Sequence, residues 1–191
     1  MGRTKPGERK LHILQTLAAM LEQPTAEKIT TAALAARIDV SEAALYRHFA
    51  SKAQMFEGLI DFIESTVFGL INQITMQQEN GLSQAQAIGA MLLEFAARNP
   101  GMTRVLTGDA LVHENVRLQA RMNQFIDRIE LAIRQALQLA VTQGQASDAE
   151  VALRANLLTS MVLGRWQRFA KSGFRHSPLD DAPAQIVLIL G

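Results

Sequence analysis

The sequence predicts an all-α protein. A three-helix head over residues 1–52 carries a helix-turn-helix, and a larger helical body over residues 53–191 pairs with a twin through a four-helix bundle. Three observations lead there. Apolar residues recur at helical spacing along nearly the whole chain, and no alternating stretch is long enough for a strand. Serines followed three residues later by Gln or Glu, the capping-box pattern, open several segments. Helix-stopping residues, Pro24, Asn80-Gly81, Asn99-Pro100-Gly101 and Gly108, fall between those segments.

The elements follow in order. Leu11, Leu14, Leu17, Ala18 and Leu21 share one stripe, which predicts a helix over residues 8–23, stopped by Pro24. ITTAALAAR starts a short helix at a Thr30 or Thr31 cap. Ser41 caps a second short one, EAALYRHF. Ser51 with Gln54 opens a long helix to about Gln78, whose stripe runs from Phe56 through Ile63 and Val67 to Ile74. Ser83 with Gln86 opens the next, which ends at Asn99-Pro100-Gly101. MTRVLT gives a short turn of helix. A helical pattern then spans residues 109–143, with a break expected near His113. Ser147 with Glu150 opens a helix ending near Gly173, and PLDDAPAQIVLILG reads as a loop and a last, frayed helical turn or two.

Composition narrows the function classes. Of 191 residues, 48% are apolar and 19% charged, so there is ample material for a core and a surplus for an interface. Cysteine is absent, which excludes disulfides and thiolate chemistry. No segment suits a signal peptide or a membrane span, so the expectation is an intracellular protein with no membrane contact. His12, His48, His113 and His176 are scattered, with no metal-binding spacing and no phosphate-cradling glycine loop. We therefore expect no enzyme, no metal and no cofactor. Net charge is only +1, but Arg3, Lys5, Arg9 and Lys10 crowd the N-terminus against Glu8 alone. A basic end on a near-neutral chain suits a polyanion partner at that end, although a solubilising tail has the same composition.

Residues 29–56 carry the most information. Two short helices joined by a few residues, the second with a serine cap, make a helix-turn-helix; alanine-rich helix pairs also pack this way in ordinary bundles. The N-terminal end of the second helix can then enter a major groove. Thr30, Thr31 and Ser41, with Tyr46, His48 and Lys52, are placed to meet phosphates. Val40, Glu42, Ala43 and Arg47, plus Thr31 or Ala32, are the candidate base readers. Glu42 can accept from cytosine N4, and Arg47 can reach guanine or phosphate.

T-T-x-x-L-A followed by V-S-x-x-x-L-Y-x-H-F-x-S-K resembles the N-terminal signature of the TetR family of DNA-binding proteins. Asp39 and Ala43 stand where that family often has glycine, and Asp39 can still close the turn through a left-handed backbone. The resemblance continues into the body. DFIES, RNPGMTRVLTGDAL, RLQARMNQFIDRIE and R-W-x-R-F-x-x-S-x-F-x-x-x-P are similar to the nucleoid occlusion members of the family. That resemblance implies a cytoplasmic, nucleoid-associated homodimer that binds palindromic double-stranded DNA and, when bound, antagonises polymers of the division protein FtsZ. It assigns the FtsZ contact to Phe62, Arg98 and Asn99. Leu70 stands where those relatives have arginine, and Glu94 where they have glycine.

The residues themselves add less. Phe62 sits about 120° from the stripe of its own helix, which a second packing face would also explain. Arg98 and Asn99 suit a helix end without any partner. Phe125, Ile129, Leu157, Met161, Val162 and Trp166 are expected at the dimer interface, because the two last long helices are expected to pair with their twins in a four-helix bundle and the apolar residues of 156–169 spread round the second of them. The alternative is a ligand-responsive repressor with a pocket lined by Met91, Phe95, Phe125, Met161 and Trp166.

Overall fold

The computed structural model describes residues 6–23, 29–111 and 116–191; the expectations placed on Arg3, Lys5, Pro24 and His113 lie outside them. Among the described residues the elements are α1 (Pro6–Leu21), α2 (Thr31–Arg37), α3 (Glu42–Tyr46), α4 (Lys52–Gln77), α5 (Gly81–Arg98), α6 (Pro100–Leu106), α7 (Val116–Thr142), α8 (Asp148–Lys171) and α9 (Ala182–Leu190). A single 3-10 turn, Asp109–Leu111, precedes α7, and no strand occurs among the described residues. The all-α expectation holds.

Three starts confirm the capping logic. The Ala33, Ala44 and Gln54 N–H groups donate to the Thr30, Ser41 and Ser51 hydroxyls at 3.1, 3.2 and 3.2 Å. Gln54 reaches back to accept from Ala50 N–H at 2.8 Å, which completes a reciprocal cap at α4. Elsewhere the expected boundaries move. Helix α5 begins at Gly81, because the Asn80 side chain accepts from Ser83 N–H at 2.8 Å; Asn80-Gly81 is therefore a start as much as a stop. Helix α3 ends at Tyr46, short of Phe49.

The C-terminal tail departs further. Residues 182–190 form a full helix, with Ala182, Ile186 and Leu190 buried. Its packing against α5 and α8 supplies the stability that propensity alone would not. Arg165 on α8 secures it, donating to Pro178 O at 2.8 Å and to Gln185 Oε1 at 2.7 Å.

One core runs through head and body. Ile13, Leu17, Leu34 and Leu45 of the head are buried together with Met55, Phe56 and Leu59 of α4, and the cluster continues through Ile63, Ile88, Leu92, Phe125, Ile133 and Trp166 in the body. Helix α5 is central, with α4, α7, α8 and α9 packed around it. Two glycines permit close approach of helices. A Cβ at Gly101 would run into the Ala18 carbonyl of α1, and one at Gly81 into the backbone of α7 at Ala140. Gln143 staples that second contact, accepting from Gly81 N–H at 2.8 Å and donating to Glu79 O at 2.7 Å.

Candidate nucleic-acid interface and body groove

The second short helix of the head stands clear of the core. Leu45 is fully buried and anchors α3, while Ser41, Glu42, Ala43, Tyr46 and Arg47 are exposed round its outer face. Val40, His48 and Lys52 are half-buried at its flanks. The turn between α2 and α3 takes the predicted left-handed form, with Asp39 at φ 55°. A short polar side chain tolerates that conformation better than most, which explains how this chain manages without glycine.

The hydroxyls of this face are not equivalent. Thr30 and Ser41 use an oxygen lone pair to accept a backbone N–H, and each keeps its own proton to donate. Thr31 donates to Glu42 Oε2 at 2.6 Å, and Tyr46 donates to Thr31 Oγ1 at 3.5 Å. The sequence singles out all three residues separately and does not show this chain of contacts across the two helices. Lys10 and Lys52 stretch over the Phe49 and Phe56 rings at 5.6 and 5.5 Å, so their ammonium groups edge the same end of the molecule.

The body offers a groove between α4 and α5, of about 330 Å³, lined by Leu70, Gln73, Ile74, Gln77, Ala87, Ala90, Met91 and Glu94. The two helices are antiparallel, joined by residues 78–80, so the register that brings Leu70 and Ile74 to Met91 and Ala87 carries Phe62 to the level of Arg98 and Asn99. Phe62 is half-buried, Arg98 exposed. Glu94 accepts from Arg98 at 3.2 Å, and the Asn99 amide donates to Phe95 O at 2.8 Å. Leu70, expected to pack, is half-buried as part of the groove wall.

Behind Phe62, α4 is tied to α7. Arg121 bonds Glu64 at 3.0 Å and also contacts Asp61, and the Arg128 guanidinium lies 3.8 Å above the Phe68 ring. The hydrogen bond that Arg121 donates to Glu64 outweighs burial and holds the guanidinium above its ordinary pKa.

The expected interface residues divide. Phe125, Ile129, Val162 and Trp166 are buried inside their own chain, and Trp166 Nε1 donates to Leu92 O at 3.1 Å. These four have almost no surface left for a second copy. The reason is that a helix apolar all round gives no sign of which side faces its own core. Leu157, 55% exposed, and the half-buried Met161 remain on the outer face of α8, with Leu153 at 65% beside them. The residues of the alternative pocket do not gather round one chamber. Met91 lines the α4–α5 groove, Met161 a separate depression between α8 and α9, and Phe125 and Trp166 the packed interior.

Residues 13–59 match the bacterial regulatory proteins of the tetR family, and residues 79–190 match a tetracyclin repressor-like C-terminal domain of SlmA-like type. The nucleoid occlusion factor SlmA of Idiomarina loihiensis is 50% identical over 178 residues, covering 93% of this chain and 91% of that protein. The one from Shewanella loihica is 46% identical over 178 residues, covering 93% and 90%. Among solved structures, a TetR transcription regulator from Haloarcula marismortui superposes with a TM-score of 0.81 at 13% identity, over 96% of this chain and 97% of that one; this likeness speaks to the fold alone. From head to last helix, then, the chain belongs to the SlmA family of nucleoid occlusion factors within the TetR-type regulators.

Proposed function

We propose that this protein binds palindromic chromosomal sites as a homodimer and, in that state, antagonises FtsZ polymers, so that no septum forms over the nucleoid. The observation that carries the reading is one helix with two surfaces. Helix α4 leaves the head beside the exposed face of α3, carries Phe62 ten residues further along at the level of Arg98 and Asn99, and lines the groove with its last turns, Leu70 to Gln77. A nucleic-acid end and a protein end on one rigid element suit a factor whose two partners are used together.

In this reading Thr30, Ser41, Tyr46, His48 and Lys52 grip phosphates, and Val40, Glu42, Ala43 and Arg47 face base edges. Phe62 supplies apolar contact to FtsZ, while Arg98 and Asn99 supply charge and amide hydrogen bonds. Leu153, Leu157, Met161 and Gly164 form the stripe of α8 that meets a twin, with the outer face of α9 beside it. Two heads so joined reach half-sites one helical turn, roughly 34 Å, apart. Among the described residues no helix is long and apolar enough to cross a membrane, which suits action in the cytoplasm at the nucleoid.

The test is sedimentation or light scattering of FtsZ polymers with the protein, with and without duplexes recovered by random-oligonucleotide selection. Phe62→Ala is expected to keep dimerisation and DNA affinity while losing the DNA-dependent effect on polymers. Loss of DNA binding in that variant would assign Phe62 to the packing between head and body. No polymer effect from the wild type on its DNA would overturn the division role itself.

A further inference from the structure

The contact between Thr31 and Glu42 joins two residues on different helices, eleven positions apart, on the exposed face of the head. A threonine hydroxyl has one proton to donate. At 2.6 Å that proton points at a carboxylate oxygen, and the Tyr46 hydroxyl, 3.5 Å behind, donates toward the Thr31 oxygen. Both donors polarise in one direction, toward Glu42. Thr31 therefore cannot serve a phosphate without releasing Glu42, whereas Thr30 and Ser41 can, because their capping bonds consume lone pairs only.

We propose that Thr31 is a positioning residue for base recognition. It holds one oxygen of the Glu42 carboxylate at the opening of α3, so that the other, Oε1, accepts from the amino group of a cytosine in the major groove. The proposal rests on the reading that α3 enters that groove. Cytosine follows from the chemistry. An ionised carboxylate only accepts hydrogen bonds, and cytosine offers the groove an N4 amino donor; adenine sets the acceptor N7 beside its amino group, where it repels a carboxylate. An untethered glutamate has three rotatable bonds and is driven away from the backbone by phosphate charge. Held by Thr31, it meets the base in a fixed geometry, which is what discrimination requires.

The measurement is a discrimination ratio. Palindromic duplexes selected by the wild-type dimer are compared with copies that differ at one base pair in each half-site. The wild type is expected to prefer cytosine at one position by roughly tenfold, the low end for a well-formed base contact. Glu42→Ala should erase that preference. Thr31→Val, which keeps the side-chain shape and removes the hydroxyl, should erase most of it with an unchanged salt dependence and melting temperature. Thr31→Ser should restore it.

A Thr31→Val protein that binds every duplex more weakly but keeps the wild-type ratio would place the hydroxyl on a phosphate and overturn the proposal. A Glu42→Ala protein with the wild-type preference, or a wild type with none, would overturn it through its foundation. That outcome is told apart by needing no Thr31 variant.

Discussion

At the scale of single residues, this chain solves two problems in unusual ways. Asp39 holds the left-handed position of the helix-turn-helix, where glycine would be unstrained. Asp39→Gly is expected to raise stability by about 0.5–1 kcal/mol, seen as a rise of about 1–4 °C in a thermal melt followed by circular dichroism. A fall instead would mean that the Asp39 carboxylate makes a contact worth more than the strain. The conformation was legible in the sequence, since Asp39 stands where the TetR signature often has glycine and is a residue that tolerates a left-handed backbone. The Thr31–Glu42 bond was not legible. Both residues carry meaning separately, but only the crossing of α2 over α3 sets a hydroxyl 2.6 Å from a carboxylate.

At the scale of elements, starts and stops were well marked wherever side chains cap the backbone, because capping is local chemistry within four residues. The sequence marks helix α9 only as a frayed turn or two, for the converse reason. Asp181 enters it at φ 54° with no capping hydrogen bond from its side chain, which leaves Pro183 in the first turn as a weak local start signal. Its existence depends on Ile186 and Leu190 finding α5 and α8, a tertiary fact. The tie between α4 and α7 is likewise long-range. Glu64 is mostly buried, with its side chain 17% exposed, and depends on Arg121 for its closest ion pair; Arg128 stands farther off at 3.7 Å. Arg121→Met should cost about 1–2 kcal/mol in urea denaturation, from a carboxylate left poorly paired. Because the folded protein raises the Arg121 pKa, this stabilisation is complete below the unfolded value and fades only in strong alkali. The wild-type advantage over the variant should hold constant across neutral pH. A difference that vanished within that range would contradict the assignment.

At the scale of the whole molecule, the apolar surplus noted in the composition has two destinations. Most of it fills one continuous core; a second group, Leu153, Leu157, Val187 and Leu188 on α8 and α9, is more than half exposed at each position. Sequence periodicity announced that residues 156–169 were apolar on several sides. It could not say that Leu158, Val162 and Trp166 turn inward while Leu157 turns out, because that depends on where α5 sits. Leu157→Arg should therefore give a folded monomer by analytical ultracentrifugation, with the affinity for a palindrome reduced to that for a single half-site. A variant that stayed dimeric would move the interface off this stripe.

The head, finally, is not a self-sufficient cassette. Gly58 of α4 lies against Phe49 and Leu14, Met55, Phe56 and Leu59 are buried with them, and Gly101 of α6 abuts Ala18. A peptide cut at the serine that caps α4 would forfeit the floor of its own interior. Transplanting the operator preference of one such factor onto another would require carrying over the opening turns of α4 as well, along with a body whose sixth helix can still nestle against the first.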